Sequence, residues 1–146
     1  MKMSTKGRYG LRVMLELALN YRQGPVLVDA IALNQGISGK YIHVLVGALK
    51  TASLIKAVRG PNGGYELTRD PATISILEII QAMEGDIAPL DCIRDASCCN
   101  RVDSCASREI WCEVAAAMTK VLAGRTLADL AQRQQGKEKG SPDFCI

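Results

Sequence analysis

A chain of 146 residues with 48% hydrophobic content can bury one core, or a compact domain plus a dimerising extension, which excludes two large independent domains. The net charge of +3 is unevenly spread: residues 1–70 carry ten Lys or Arg against four Asp or Glu, and residues 71–146 carry eight against eleven. That asymmetry directs the first half to a polyanionic partner, the plain alternative being a solvated basic surface. No secretory signal and no unbroken apolar run of about eighteen residues occurs, so no membrane span is expected and a reducing cytoplasm is.

Ser4 and Thr5 can cap a first helix over residues 5–22, in which Leu11, Met14, Leu15, Ala18 and Leu19 recur at helical spacing. Lys6 and Arg8 in its first turn lie beside the positive helix end, an unfavourable place unless an anion sits there. Gly24 and Pro25 end this element. A short helix is predicted over 28–35, Gly36 turns the chain, and Ser38 caps a third helix over 39–51. Two helices joined by a few residues containing glycine form a helix-turn-helix.

From Leu54 the period becomes two: Leu54, Lys56 and Val58 alternate with Ile55, Ala57 and Arg59 before the turn Gly60-Pro61-Asn62-Gly63-Gly64. Residues 65–68 return as the second strand of a hairpin. Arg69-Asp70-Pro71 breaks it, and Ser75-Ile76-Leu77-Glu78 is a capping-box pattern opening a helix to residue 84. Residues 85–106 show no sustained period, and a loop of that length tends to be functional. A longer helix over 107–123 places Ile110, Trp111, Val114, Met118, Val121 and Leu122 on one face, which requires a partner within the chain or outside it. Gly124 ends that helix, and a short helix over 126–132 leads to a tail expected to be disordered from residue 134.

Five of the six cysteines, Cys92, Cys98, Cys99, Cys105 and Cys112, fall within a 21-residue span. Six are too few for a disulfide scaffold in a chain this long, so they read as metal ligands or redox groups. Thiolates select iron-sulfur clusters, zinc and copper(I), and the lack of a Cys-x-x-Cys pair argues against paired-knuckle zinc. Cys92, Cys99 and Cys105 have six and then five intervening residues, which a flexible loop can wrap around a cluster. Free thiols with one reversible disulfide are the competing reading.

In the third helix, Lys40, Tyr41, His43 and Lys50 are free to face outward while Ile42, Leu45, Val46 and Leu49 face the core. Such a helix can lie in the major groove, with short polar groups near its start, Ser38 among them, close to base edges. At the hairpin tip, Gly60, Gly63 and Gly64 allow close backbone approach, and Arg59 is placed to enter a narrow minor groove. Lys6, Arg8 and the start of the first helix would sit on phosphates. Each feature alone is commonplace; their order and the local positive charge together point to double-stranded DNA. Enzyme chemistry is not expected. The single histidine forms no Ser-His-Asp or Cys-His arrangement, Gly60 to Gly64 closes a hairpin where a phosphate loop would open a helix, and no small-molecule substrate is predicted.

Ser4-Thr5-Lys6-Gly7-Arg8-Tyr9, Gly36-Ile37-Ser38 with Tyr41, and above all Val58-Arg59-Gly60-Pro61-Asn62-Gly63-Gly64-Tyr65 resemble the bacterial winged-helix regulators of the Rrf2 family, of the IscR, NsrR and CymR type. The resemblance runs to about Ala131. It implies a mainly α fold with a small β-hairpin: a winged helix-turn-helix over 1–72, a cysteine-bearing sensor loop and dimerisation helices over 73–133, and a tail over 134–146. It also implies a homodimeric transcription regulator, expected to repress, whose long helix pairs with that of a second copy.

Cluster-holding members use three cysteines in this loop, two of them separated by five residues. The resemblance thus implies Cys92, Cys99 and Cys105 as iron-sulfur ligands, with a 2Fe-2S cluster expected ahead of 4Fe-4S and Cys98 an alternative to Cys99. The chain departs from its relatives at the fourth ligand. Where the IscR type has a histidine three residues after its last cysteine stands Arg108, which cannot lose its proton to bind iron. Where the NsrR type has an aspartate stands Arg8. Cys98, Cys112, Glu16 and Asp91 remain as candidates, although Cys112 reads equally as a core residue and Cys145 as incidental. The function expected is a regulator sensing iron-sulfur status, redox state or nitric oxide. The alternatives are a cluster-free thiol- or partner-responsive regulator and, from another class, an iron-sulfur electron-transfer protein.

Overall fold

The computed structural model describes residues 2–140, which form seven α-helices and a two-stranded antiparallel sheet. Helix α1 (Thr5–Leu19) starts at Ser4, whose hydroxyl accepts the Gly7 N–H at 3.1 Å. It stops short of the sequence expectation because the chain turns at Asn20 and Arg22 takes the left-handed conformation, φ 63°. Every residue of α1 from Val13 to Ala18 is buried. A helix buried all round is central to a core, and α2, α3, α4, α7 and the sheet all pack on it.

Helices α2 (Val28–Gln35) and α3 (Gly39–Thr51) meet at Gly36, whose left-handed φ of 61° closes the turn, and Ser38 caps α3 through the Tyr41 N–H at 3.2 Å. Ile42, Leu45, Val46 and Leu49 of α3 are at most 1% exposed, and each such burial contributes roughly 1.5–3 kcal/mol. Strands β1 (Ile55–Val58) and β2 (Gly64–Leu67) pair from Ile55 opposite Leu67 to Val58 opposite Gly64. Val26 adds an isolated antiparallel bridge to β2, exchanging backbone hydrogen bonds of 2.8 and 2.9 Å with Tyr65.

Beyond a 3-10 turn at Pro71–Thr73, helix α4 (Ile76–Glu84) opens with the expected capping box: the Ser75 hydroxyl accepts the Glu78 N–H at 3.2 Å and the Glu78 carboxylate accepts the Ser75 N–H at 2.9 Å. Its buried Ile76, Ile79, Ile80 and Met83 line the side next to α1, which comes so near that a Cβ at Gly10 would lie 2.3 Å from Met83 Sδ.

The aperiodic segment folds into a short helix α5 (Asp91–Arg94) and two 3-10 turns, Ala96–Cys98 and Val102–Ser104, none with a buried residue. Helix α6 (Ala106–Ala123) has no buried residue either. Helix α7 (Leu127–Gly140) corrects the expectation of a tail disordered from residue 134. Its Leu127 and Ala131 are buried, Gln134 donates to Glu138 at 2.9 Å one turn on, and Gln, Lys, Glu and Arg are good helix formers even where nothing is packed. Residues 141–146, with Cys145, lie outside the described residues.

Candidate nucleic-acid interface and cysteine loop

The outward face of α3 carries Lys40, His43, Val44, Gly47, Lys50 and Thr51, all exposed. Tyr41 is half-buried: its ring meets the Tyr9 ring edge-on at 6.1 Å and 78°, fixing α3 against α1. The same Tyr9 ring carries the guanidinium groups of Arg8 and Arg12 at 5.6 and 5.3 Å, so positive charge gathers where the two helices meet. Lys6 is half-buried and Arg8 exposed. Ser38 is exposed, although its hydroxyl is engaged in the cap.

At the wing, Arg59 and Gly60 are exposed. Gly63 and Gly64 close the hairpin through contacts that leave no room for a side chain. Gly63 is buried, and a Cβ there would lie 2.3 Å from the Val58 carbonyl oxygen; at Gly64, φ 148°, it would lie 2.2 Å from that of Val26. These two glycines close the hairpin and dock it on the chain before α2. Lys56 pairs across the strands with Glu66 at 3.0 Å, and among the described residues Arg59 has no such ion pair.

Two outward residues of α3, Val44 and Gly47, carry no charge or polar group by which the sequence would mark them. Counting one and two turns on from Lys40 would have found both.

The cysteines lie beyond Glu84, the last residue of α4. Its carboxylate accepts the Ser4 N–H at 3.2 Å and the Ser4 hydroxyl, and a Cβ on Gly7 would lie 2.2 Å from its Oε1. The cap of α1 is thereby tied to the point where the cysteine loop departs.

Within the described residues all five cysteines are free thiols: Cys98 is exposed, and Cys92, Cys99, Cys105 and Cys112 are half-exposed. Desolvation raises the pKa of the Cys98 thiol, and the neighbouring Cys92, Asp95, Cys99 and Asp91 push it in the same direction. The chemistry of three soft thiols on one loop fits an iron-sulfur cluster. As folded, the loop does not complete such a site: among the described residues no three Cys, His, Asp or Glu side chains converge on a point that would hold a metal ion.

The candidates for a fourth ligand narrow. Glu16 is 5% exposed, its carboxylate taken by Asn34 and Gln35 at 2.8 Å and by Asn20 at 3.3 Å, so it serves the contact of α1 with α2. Asp91 pairs with Arg94 at 2.7 Å. Arg108 donates from Nε to the Cys92 carbonyl at 3.1 Å and holds the loop against α6 by a hydrogen bond. Cys112 sits on α6 without being buried, so the core reading for it fails. Among the described residues no helix is long and apolar enough to cross a membrane.

The sequence profile of the Rrf2 family, described as an iron-dependent transcriptional regulator, matches residues 3–133. The chain is 39% identical to the HTH-type transcriptional regulator CymR of Bacillus subtilis over 139 residues, 95% of the chain and 96% of that protein. Its fold is similar to the solved structure of CymR, the global cysteine regulator of B. subtilis, with a TM-score of 0.79 over 91% of this chain and 98% of that one at 39% identity. It is also similar to the structure of T. potens IscR, with a TM-score of 0.77, 34% identity and coverage of 98% and 93%.

Proposed function

The chain belongs to the Rrf2 family and is a DNA-binding transcription regulator, and from that premise we propose that it binds operator DNA as a homodimer and takes its signal through the cysteine loop. The observation that carries the DNA contact is the exposure of Lys40, His43 and Lys50 on the outward face of α3 and of Arg59 on the wing. The helix enters the major groove, with Ser38 and Gly60 at the edges of the contact, and Arg59 reaches the neighbouring minor groove. Lys6 and Arg8 hold phosphates at the start of α1.

Two copies pair through α6, whose Ile110 and Val121 are 59% and 64% exposed, Val121 at a largely apolar groove of about 700 Å³ that Met3, Ile87, Met118 and Leu122 also line. A dimer spaces two α3 helices about one turn of DNA apart.

On the input side, Cys92, Cys99 and Cys105 are the thiolates for an iron-sulfur cluster, of the 2Fe-2S type in preference to 4Fe-4S. A cluster bound there would cross-link the loop and supply sensitivity to iron-sulfur status, oxidants or nitric oxide. The chain's own residues pass the change on: the loop leaves α4 at Glu84, which grips Ser4 against Gly7, and α1 carries Lys6, Arg8 and Tyr9 to the DNA face. Moving a site from mostly bound to mostly free takes about 5.5 kcal/mol of differential affinity.

A second reading, a cluster-free regulator responding to thiol oxidation or to a partner, is favoured by one observation. Arg108 stands where a histidine ligand is expected and ties the loop to α6 without a metal. The distinguishing experiment is anaerobic purification with an absorption spectrum and iron and sulfide counts, followed by DNA affinity at fixed salt before and after chelation. The first reading expects a coloured protein whose affinity changes on chelation. Colourless protein whose affinity responds to oxidation through a reversible disulfide favours the second, and equal affinity in every state sinks both.

A further inference from the structure

Val44 is the one large aliphatic residue of α3 that the core does not use: it is 57% exposed, against 1% or less for Ile42, Leu45, Val46 and Leu49. A β-branched residue at an exposed helical position lowers helix propensity and leaves apolar surface in water, so neither local structure nor packing accounts for it. Isolated exposed valines are ordinary; the neighbours of this one are not. Along the helix, Lys40, Val44, Gly47 and Thr51 form one outward row, and His43, Gly47 and Lys50 the row beside it.

Gly47, in mid-helix, costs stability, yet a Cβ built on it meets nothing within 4 Å, so no contact inside the protein demands glycine there. The face is therefore cationic or polar at its ends and bare or apolar in the middle. A helix so built can set its ends on phosphates and bring its middle close against base edges. The one apolar group that base edges present in the major groove is the C5-methyl of thymine.

Resting on the reading of α3 as the helix that faces DNA, we propose that Val44 reads thymine, packing a γ-methyl against the thymine C5-methyl while Gly47 lets the helix approach. This makes Val44 a specificity-determining residue whose contact is apolar and blind to the hydrogen-bonding pattern of the pair.

The test uses the full chain. Binding duplexes are selected from a pool of short random sequences, and the tightest is remade with single thymines replaced by deoxyuridine, which removes the methyl and nothing else. Affinities are read by fluorescence anisotropy at one salt concentration. The wild-type chain should lose about fourfold at one thymine per half-site, the value of one buried methyl. Val44→Ala, which alters both protomers, should lose about that factor at each half-site of the thymine duplex and become indifferent to deoxyuridine at that position. Insensitivity of the wild-type chain to every replacement overturns the proposal, and so does a Val44→Ala chain as sensitive as wild type. Lys40→Ala and Lys50→Ala separate the two levels. If these weaken binding while the thymine result is negative, only the role of Val44 falls; if neither weakens it, the placement of α3 on DNA falls and the proposal with it.

Discussion

Helices α3 and α6 are both amphipathic, yet α3 hides its four core aliphatic residues at 1% exposure or less while α6 leaves Ile110 at 59% and Val121 at 64%. The apolar row of α3 is matched within the chain by α1, α2 and α4. That of α6 is matched only in part, by α4 and α5. The comparison separates two uses of one pattern: in α3 burial completes a fold, whereas α6 leaves much of its apolar surface uncovered within the chain. The same division appears in the charges, with a basic, fully cored half beside a loop that holds its thiols near the surface.

The sharpest way to break this comparison is Leu49→Ala, which should cost about 2–5 kcal/mol of folding stability in a denaturant titration, since it opens a cavity in a closed core. Against it stands the double change Ile110→Glu with Val121→Glu. It should leave the melting of a dilute chain nearly unmoved but weaken self-association by about 3 kcal/mol, a hundredfold or more, in sedimentation equilibrium. A monomer that unfolds as readily as the Leu49→Ala chain would mean that α6 belongs to the core after all.

On the DNA side, Arg59→Ala should weaken binding to AT-rich duplexes by about 1–3 kcal/mol, and unchanged affinity would remove the wing from the interface. The link between the halves is tested by Ser4→Ala. Loss of the cap and of the Glu84 contact should cost about 1 kcal/mol of stability and, if Glu84 transmits the signal, should shrink the difference in DNA affinity between oxidised and reduced protein. A full-sized difference in that variant would route the signal elsewhere.

The smallest effect belongs to the cap of α4. Burial, the largest single influence on Glu78, raises its pKa, but hydrogen bonds from Ser75 and Arg69 and the Arg69 charge together outweigh it, leaving the group below its ordinary value of 4.5. A carboxylate depressed on folding contributes stability that is complete above that ordinary value and is lost as pH falls through the folded one. Ser75→Ala should therefore cost about 1 kcal/mol near neutral pH and flatten the acid limb of a stability-pH curve.

The helices of the first half, the hairpin and the capping box could be read from residues close in sequence, because helical period, caps and glycine turns act over a few positions. The end of α1 and the length of α7 could not. Arg22 turns left-handed where the apolar period continues to Leu19 and Tyr21, and the polar stretch after Gln132 keeps its helix on propensity and a Gln134–Glu138 pair. At the candidate interface the cations were readable by charge, whereas Val44 and Gly47 carry none. The close backbone packing that Gly63 and Gly64 serve inside the wing depends on partners at Val58 and Val26, and the cysteine spacing suggested a ligand set that the folded loop does not gather among the described residues.

By itself, the sequence determined that the first half is a basic helix-turn-helix with a wing and that the thiols stand apart from it. Tertiary structure alone decided that Ser4 meets Glu84 across eighty positions, that Arg108 holds the Cys92 carbonyl, and that α6 keeps its apolar face open. The reason is physical: caps, periods and turns are settled by neighbours along the chain, whereas which surfaces meet and which stay open depends on how all the helices fill one core.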